Sequence, residues 1–357
     1  MDKLPIHDFL EALRQSDGSD LHLSPGHLPH VRKNGILRPL ADEALSEEQI
    51  RSLLEPITPE RSRAAWDAGT PADFAYEANG AGRFRVNAYR SRRGRGAVIR
   101  AVPRELPSAE DLGLPTAVHD LVRLRGGLVL VTGKAGEGKS TTLAWLVDQV
   151  NQLGTSHIVT IEDPVEFEHV PQSGSVITQR ELGEDVPTVA DALKGVLRQD
   201  PDMIVVGEIR DPETLALALT LSETGHLVVG TMHASSAPLA VSRIMDMVET
   251  HRQPQTRRQL AECFQAVVAQ RLLPRMHRPG RIAAFEVLLR TDATANMIRT
   301  ADGDLLTPMS VGGSGMQSMD FALACLAIQQ EISPELATQL ARRPDHVRAL
   351  IGGEAFG

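Results

Sequence analysis

Gly133-Lys-Ala-Gly136-Glu-Gly138-Lys139-Ser140 matches G-x-x-x-x-G-K-[ST] at every fixed position, after an apolar run at 128–131 and before a helical pattern. The glycines permit positive φ and close backbone approach, so that successive N–H groups can converge on phosphate oxygens. The residues expected to hold a nucleotide are Gly133, Gly136, Glu137, Gly138, Lys139, Ser140 and Thr141. Lys139 adds a point charge at the β- and γ-phosphates, and the Ser140 hydroxyl is a candidate Mg²⁺ ligand. A Gly-rich turn that binds nothing is the bland alternative, which so many fixed spacings in a strand-loop-helix context disfavour. Lys134 and Glu137 are less usual in such a loop. Phosphate repels a carboxylate, so the Glu137 side chain is expected to point to solvent.

Further acids and a histidine fall at the ends of other apolar runs. Residues 158–161 deliver Glu162 and Asp163 at a strand's carboxyl end, where ligands sit in open α/β sheets. A surface carboxylate is one reading of Glu162; orienting or deprotonating a water is the other. Residues 203–206 end at Gly207-Glu208, and Glu208 is the acid available there to hold Mg²⁺ or its waters, the more usual Asp one place earlier being Gly207. His233 follows the run 226–232 in the same row, a candidate sensor of the γ-phosphate against the common fate of a structural histidine. His226, at the other end of that run, is the weaker candidate.

Arg83, Arg85, Arg90, Arg92, Arg93, Arg95 and Arg100 crowd one hairpin of an otherwise acidic chain. Three readings stay open: a solvated strand face, a nucleic-acid contact with only Tyr89 for stacking, or phosphate contact across a subunit boundary. Arginine suits the last because it stays charged and bonds phosphate in bidentate fashion.

The elements that must position these residues divide in two. Residues 4–14 suit an amphipathic helix, 20–23 alternate, and 29–40 read as two strands broken at Asn34-Gly35. Ser46 caps a helix to residue 54, residues 58–68 form another, and 74–76, 83–89 and 97–102 return to strand. This is an N-terminal α+β domain over 1–103, followed by a linker at 104–115 punctuated by Pro107 and Pro115. From 116 to 357 strand and helix alternate, the mark of an α/β domain with a mostly parallel sheet. Leu143, Leu146, Val147 and Val150 give the helix after the loop one apolar face. Asp211 and Pro212 cap and open another helix.

At 357 residues, 42% hydrophobic and 23% charged, the chain has room for two cores in an ordinary globular composition. A net charge of −9 argues against a protein that coats nucleic acid. The N-terminus lacks the features of a signal peptide and no apolar run is long enough to span a bilayer, so a cytoplasmic location is expected. Cys263 and Cys325 are far apart and expected to be buried small hydrophobes rather than a disulfide or zinc site.

Thr160-Ile-Glu-Asp-Pro-Val-Glu-Phe167, Arg198-Gln-Asp-Pro-Asp-Met-Ile-Val-Val-Gly-Glu-Ile-Arg-Asp211 and Thr224-Gly-His-Leu-Val-Val-Gly-Thr-Met-His-Ala234 resemble the Asp, Walker B and His boxes of secretion-type motor ATPases. The match is nearest to the type IV pilus retraction ATPases, the PilT/PilU-like group. It extends from Ser19-Asp-Leu-His-Leu23 through Arg83-Phe-Arg-Val-Asn87 to Gln270-Arg-Leu-Leu-Pro-Arg275 and Gly315-Met-Gln317. The resemblance implies a PAS-like N-terminal domain, a RecA-like P-loop ATPase core with a C-terminal helical region, and a homo-hexameric ring with ATP between subunits. It further implies that Lys139, Ser140, Glu162, Glu208 and His233 serve nucleotide and metal, with Arg83, Arg85 and Arg100 reaching a neighbour's ATP. An inner-membrane pilus platform protein, and a paralogous pilus ATPase, become the expected partners at the pilus base. The absence of a longer N-terminal region and of a four-cysteine motif favours retraction over assembly or secretion. One departure stands out: the group's Ala-Ile-Arg-Asn-Leu-Ile-Arg-Glu segment here reads Ala293-Thr-Ala-Asn296-Met-Ile298-Arg299-Thr300, losing an arginine and the glutamate.

The expected activity is therefore Mg-ATP hydrolysis that drives pilus withdrawal and twitching motility, with Glu162 orienting the attacking water and Glu208 holding the metal. An accessory motor, a RecA-like nucleic-acid motor and a silent nucleotide-binding regulator are the alternatives.

Overall fold

In the computed structural model, residues 5–33, 35–102, 106–311 and 315–353 are described. The chain separates into two units, Met1–Glu105 and Leu106–Gly357.

The first unit is built on strands β1 Asp20–Leu23, β2 His30–Lys33, β3 Ile36–Pro39, β4 Ala72–Ala78, β5 Gly82–Ser91 and β6 Gly94–Ala101. They form a six-stranded sheet in the order β3-β2-β1-β6-β5-β4, antiparallel throughout. Asn34, half of the expected turn between β2 and β3, lies outside the described residues. Alternation along β5 turns Phe84, Val86 and Ala88 inward, where they pack with Ile6, Leu10, Leu13 and Trp66. Arg83 and Arg85 therefore share the opposite face. Ser46 caps helix Glu47–Leu54 through a reciprocal capping box with Gln49.

Residues 103–105 lie outside the described residues, and the rest of the expected linker folds with the second unit. Ala109–Leu112 is a short helix, and Leu114 is buried with Val118 and Leu121, because these apolar side chains have a core within reach.

The second unit holds β7 Gly127–Thr132, β8 His157–Glu162, β9 Val176–Glu181, β10 Met203–Val206, β11 Leu227–Met232, β12 Phe264–Pro274 and β13 Arg281–Leu289. The sheet order is β13-β12-β7-β11-β10-β8-β9, parallel except for the β12–β13 hairpin at one edge. Separate apolar clusters cover its two faces. This is an α/β fold of RecA-like type, with the phosphate loop leaving a central strand. Helix Lys139–Gln152 buries more than the single face its leucines and valines suggest: Thr142, Ala144, Trp145 and Asn151 are buried too. Trp145 meets His119 at 4.9 Å between ring centroids, and Asn151 bonds the segment after β8. Helices Met319–Ile328 and Pro344–Gly352 pack on Leu273, Ile282 and Ala284 of the hairpin. Cys263 is buried, which pushes its thiol up to about 12, whereas Cys325 is only half-buried; both are free.

Gly207 shows why the usual aspartate is missing at that point. A Cβ there would lie 3.0 Å from the Ile161 carbonyl and 3.2 Å from the Glu162 Cα. Hydrogen bonds hold the two strand ends together there, since the Gly207 N–H donates to the Ile161 carbonyl at 2.7 Å and the Gly207 carbonyl accepts from Thr231 Oγ1 at 2.5 Å. Gly207→Ala should cost about 1–3 kcal/mol, read as a lower unfolding midpoint in denaturant; an unchanged midpoint would show that the strand ends can part freely.

Candidate nucleotide site

Parallel register brings the functional residues to one edge of the sheet. Thr132 pairs with Met232 and Val206 with both Ile161 and Gly230, so Gly133, Glu162, Glu208 and His233 all leave the carboxyl ends of β7, β8, β10 and β11. That edge is where an open α/β sheet receives ligands.

The loop is shaped as an anion cradle. Gly138, at φ +83°, is the N-cap of helix Lys139–Gln152 and supplies no side-chain cap. The first intrahelical bond is Thr142 N–H to the Gly138 carbonyl, leaving the amides of Lys139, Ser140 and Thr141 facing the position where phosphate oxygens fit. Glu137 does not turn to solvent as expected. Its Oε2 accepts from the Lys134 N–H at 2.7 Å, because a loop N–H without a partner is a stronger attraction than bulk water when the acceptor is only three residues away.

Lys139 Nζ donates to the Gly133 and Lys134 carbonyls, each at 3.0 Å, and lies 3.4 Å from His233 Nδ1. Burial lowers the Lys139 ammonium below the usual lysine value, while Glu208, Glu137 and Glu166 pull the other way. His233 Nε2 is 3.1 Å from Glu208 Oε1, and Arg210 reaches Glu208 Oε2 at 2.7 Å. The other ring nitrogen, Nδ1, lies 3.4 Å from both Lys139 Nζ and the Gly133 carbonyl, so the imidazole bridges the loop and the Glu208 carboxylate. Lys139, His233, Glu208 and Arg210 thus form one chain from the loop to the end of β10. Sequence reasoning placed Glu208 and His233 in one row and Lys139 in the loop but missed Arg210, which follows Glu208 by two residues and bonds its carboxylate.

Glu162 is oriented by two donors onto the same oxygen, Thr160 Oγ1 at 2.7 Å and Gln179 Nε2 at 3.1 Å. Burial raises its carboxyl above the ordinary glutamate value, and those two bonds oppose the rise. Thr160 was findable, since residues two apart on a strand share a face. Gln179 was not, because it comes from β9, which pairs Thr160 with Gln179 across the sheet. His226 stays at the amino end of β11, against Thr224 Oγ1 and the Leu221 carbonyl, apart from this group.

The arginines belong to the first unit. Arg85 and Arg100 are cross-strand neighbours on β5 and β6, and Arg100 Nε donates to Asp20 at 2.7 Å while its side chain stays 64% exposed. Asp20 is held below the usual carboxylate range by Ser19 and Arg100 against the opposing effect of burial. Arg95 is spent locally, 3.6 Å from both Glu47 and Asp67 and stacked over Trp66. Among the described residues no group of three or more His, Cys, Asp or Glu could hold a metal. This donor set suits Mg²⁺, which keeps most of its waters and takes phosphate oxygens, with Ser140 and Glu208 as the side chains nearest in kind.

The family model for type II/IV secretion system proteins matches residues 4–305. The chain is 39% identical over 345 residues to a Pseudomonas aeruginosa protein described as the type IV pilus retraction ATPase PilT, covering 96% of this chain and all of the relative. It is also 39% identical to a Neisseria gonorrhoeae twitching motility protein, over 89% of this chain and 85% of the other. A crystal structure of the pilus retraction motor PilT with bound ADP superposes with a TM-score of 0.88 at 38% identity, covering 97% of this chain and 99% of that one. The chain belongs to the type II/IV secretion system protein family.

Proposed function

We propose that this chain is an ATP-hydrolysing motor subunit that powers type IV pilus retraction and so twitching motility, working as a homo-hexamer with Mg-ATP between neighbouring copies. The single observation that carries the reading is the chain of contacts from Lys139 through His233 to Glu208, which couples the phosphate loop to the acid at the end of β10. Lys139 binds the β- and γ-phosphates, Ser140 and Glu208 hold Mg²⁺ or its waters, and the metal when bound neutralises charge on the phosphate oxygens. Glu162 orients the attacking water, His233 reports on the γ-phosphate, and Arg83, Arg85 and Arg100 complete the site of the next subunit.

Among the described residues no helix is long and apolar enough to cross a membrane. A position at the cytoplasmic face of the pilus base, against an inner-membrane platform protein, fits that and the likeness to retraction motors. Phosphate release and particle mass, measured with and without ATP, test the reading. Release that needs a ring of subunits supports it; release stimulated by DNA or RNA and falling with salt would replace it by a nucleic-acid motor, and ATP binding without release by a silent regulator.

Glu162→Gln should lower kcat by about 10²-fold with KM little changed. Protonated Glu162 cannot take up a proton, so wild-type activity should fall as pH drops through its folded pKa, above the ordinary glutamate value. The linked stability runs the other way: it is fully present below the unfolded value and is lost as pH rises through the folded one. A pH–rate profile whose acid limb survives in Glu162→Gln would assign that limb to another group.

An accessory role is the second reading, favoured by the departure at 293–300. This stretch is helix Asp292–Thr300, which buries Thr294, Ala295 and Ile298 and leaves Arg299 exposed. Its fold is intact while part of the group's charge pattern is gone. Restoration of twitching in a strain lacking its retraction motor separates a primary motor from an accessory one.

A further inference from the structure

Gln270 stands on β12, one residue past the last pair that β12 makes with β7, directly beside the phosphate loop. It is 3% exposed. Its Nε2 donates to the Glu137 carbonyl, while its Oε1 is buried with no hydrogen-bond partner among the described residues. The contact is close on the backbone side as well: a Cβ on Gly133 would lie 2.8 Å from the Gln270 carbonyl, and one on Gly138 3.1 Å from Gln270 Nε2. An amide that leaves its acceptor unsatisfied in the interior is a costly way to fill space, and an apolar side chain of the same shape would avoid the cost. The donor must therefore matter.

The geometry of the peptide unit says how. In a planar trans peptide the N–H of one residue points opposite to the carbonyl of the residue before it. The Glu137–Gly138 peptide is trans, so a Glu137 carbonyl held toward β12 turns the Gly138 N–H the other way, into the loop. Other loop carbonyls have donors too, Gly133 and Lys134 in Lys139 Nζ and Gly136 in Arg281 at 3.5 Å. Of these, Lys139 must leave its carbonyls to meet phosphate and Arg281 is at the limit of bonding distance, which leaves Gln270 as the fixed clamp.

We propose that Gln270 is a positioning residue of the phosphate loop: by holding the Glu137 carbonyl against β12, it aims the Gly138 N–H at the phosphates of the bound nucleotide. The assignment rests on the nucleotide reading given above. Gln270 touches no phosphate; it acts through the Glu137–Gly138 peptide. It also ties the loop to the hairpin on which helices Met319–Ile328 and Pro344–Gly352 pack.

The test uses the full chain, with Mg-ADP as the probe for binding and Mg-ATP for turnover. Gln270→Met removes the donor at nearly constant volume, and Gln270→Glu keeps the shape but sets a carboxylate against the carbonyl. Both should weaken Mg-ADP binding about tenfold, the scale of one well-placed hydrogen bond, and raise KM for ATP by more than they lower kcat. The nucleotide-free melting temperature of Gln270→Met should change little, since the orphaned Oε1 goes while the Glu137 carbonyl loses its donor. In glycine-labelled protein the downfield shift of the Gly138 amide proton on adding Mg-ADP should shrink. Wild-type affinity and an unaltered Gly138 shift in either folded variant would overturn the assignment, as would affinity lost only in step with the nucleotide-free melting temperature. Failure of the unmutated protein to bind Mg-ADP would sink the nucleotide reading itself, a distinct result.

Discussion

Lys139→Gln is expected to reduce phosphate release by about 10³-fold or more while leaving the fold in place. Among the described residues the Lys139 ammonium bonds the Gly133 and Lys134 carbonyls and faces His233, and the residue belongs to neither apolar cluster on the faces of the sheet. Catalysis of phosphoryl transfer is almost wholly positioning and electrostatic stabilisation, and a single lost neutral donor already costs about 10²- to 10³-fold. A glutamine can donate a hydrogen bond but cannot supply the charge. Phosphate release at saturating ATP, with circular dichroism and melting run beside it, decides the matter; full turnover in a folded Lys139→Gln variant would remove the mechanism.

Arg85→Ala should cut turnover of the assembled ring by about 10³-fold, the lower end of what an arginine supplied in trans contributes, and leave the nucleotide affinity of isolated subunits unchanged. Lower rather than upper, because Arg100 stands directly across from it on β6 and can carry part of the charge. Mixing provides a sharper check. Rings assembled from Arg85→Ala and Lys139→Gln subunits should regain activity that neither homogeneous ring has, since one variant keeps the loop and the other the arginines. No recovery on mixing, or an equal fall in the affinity of isolated subunits, would place Arg85 in its own subunit's site.

Local residue pattern alone determined the phosphate loop, its strand and helix, the acids and histidine at the strand ends, and most of the antiparallel unit. Each of these depends on contacts a few residues long: a turn that needs glycine, a cap such as Ser46 with Gln49, a run alternating about a strand axis. The family likeness was legible for the same reason, being carried by short motifs.

What only the tertiary structure decided lies between elements distant in sequence. Strand β9 looks unremarkable as a string, and its half-exposed residues give no strong alternation, yet it supplies Gln179 to Glu162. The β12–β13 hairpin brings Gln270 under a loop 133 residues earlier in the chain. Arg210 reads as one more charge after Glu208 until β10 and β11 align and place His233 on the carboxylate's other oxygen. Gly207 is a glycine because the end of β8 passes within 3.0 Å of where a side chain would start. Composition and spacing can say which groups are able to act on a triphosphate, since that is a matter of side-chain chemistry. Which neighbour orients each group is settled by strand order and register, and these follow from packing the whole sheet rather than from any one stretch of it.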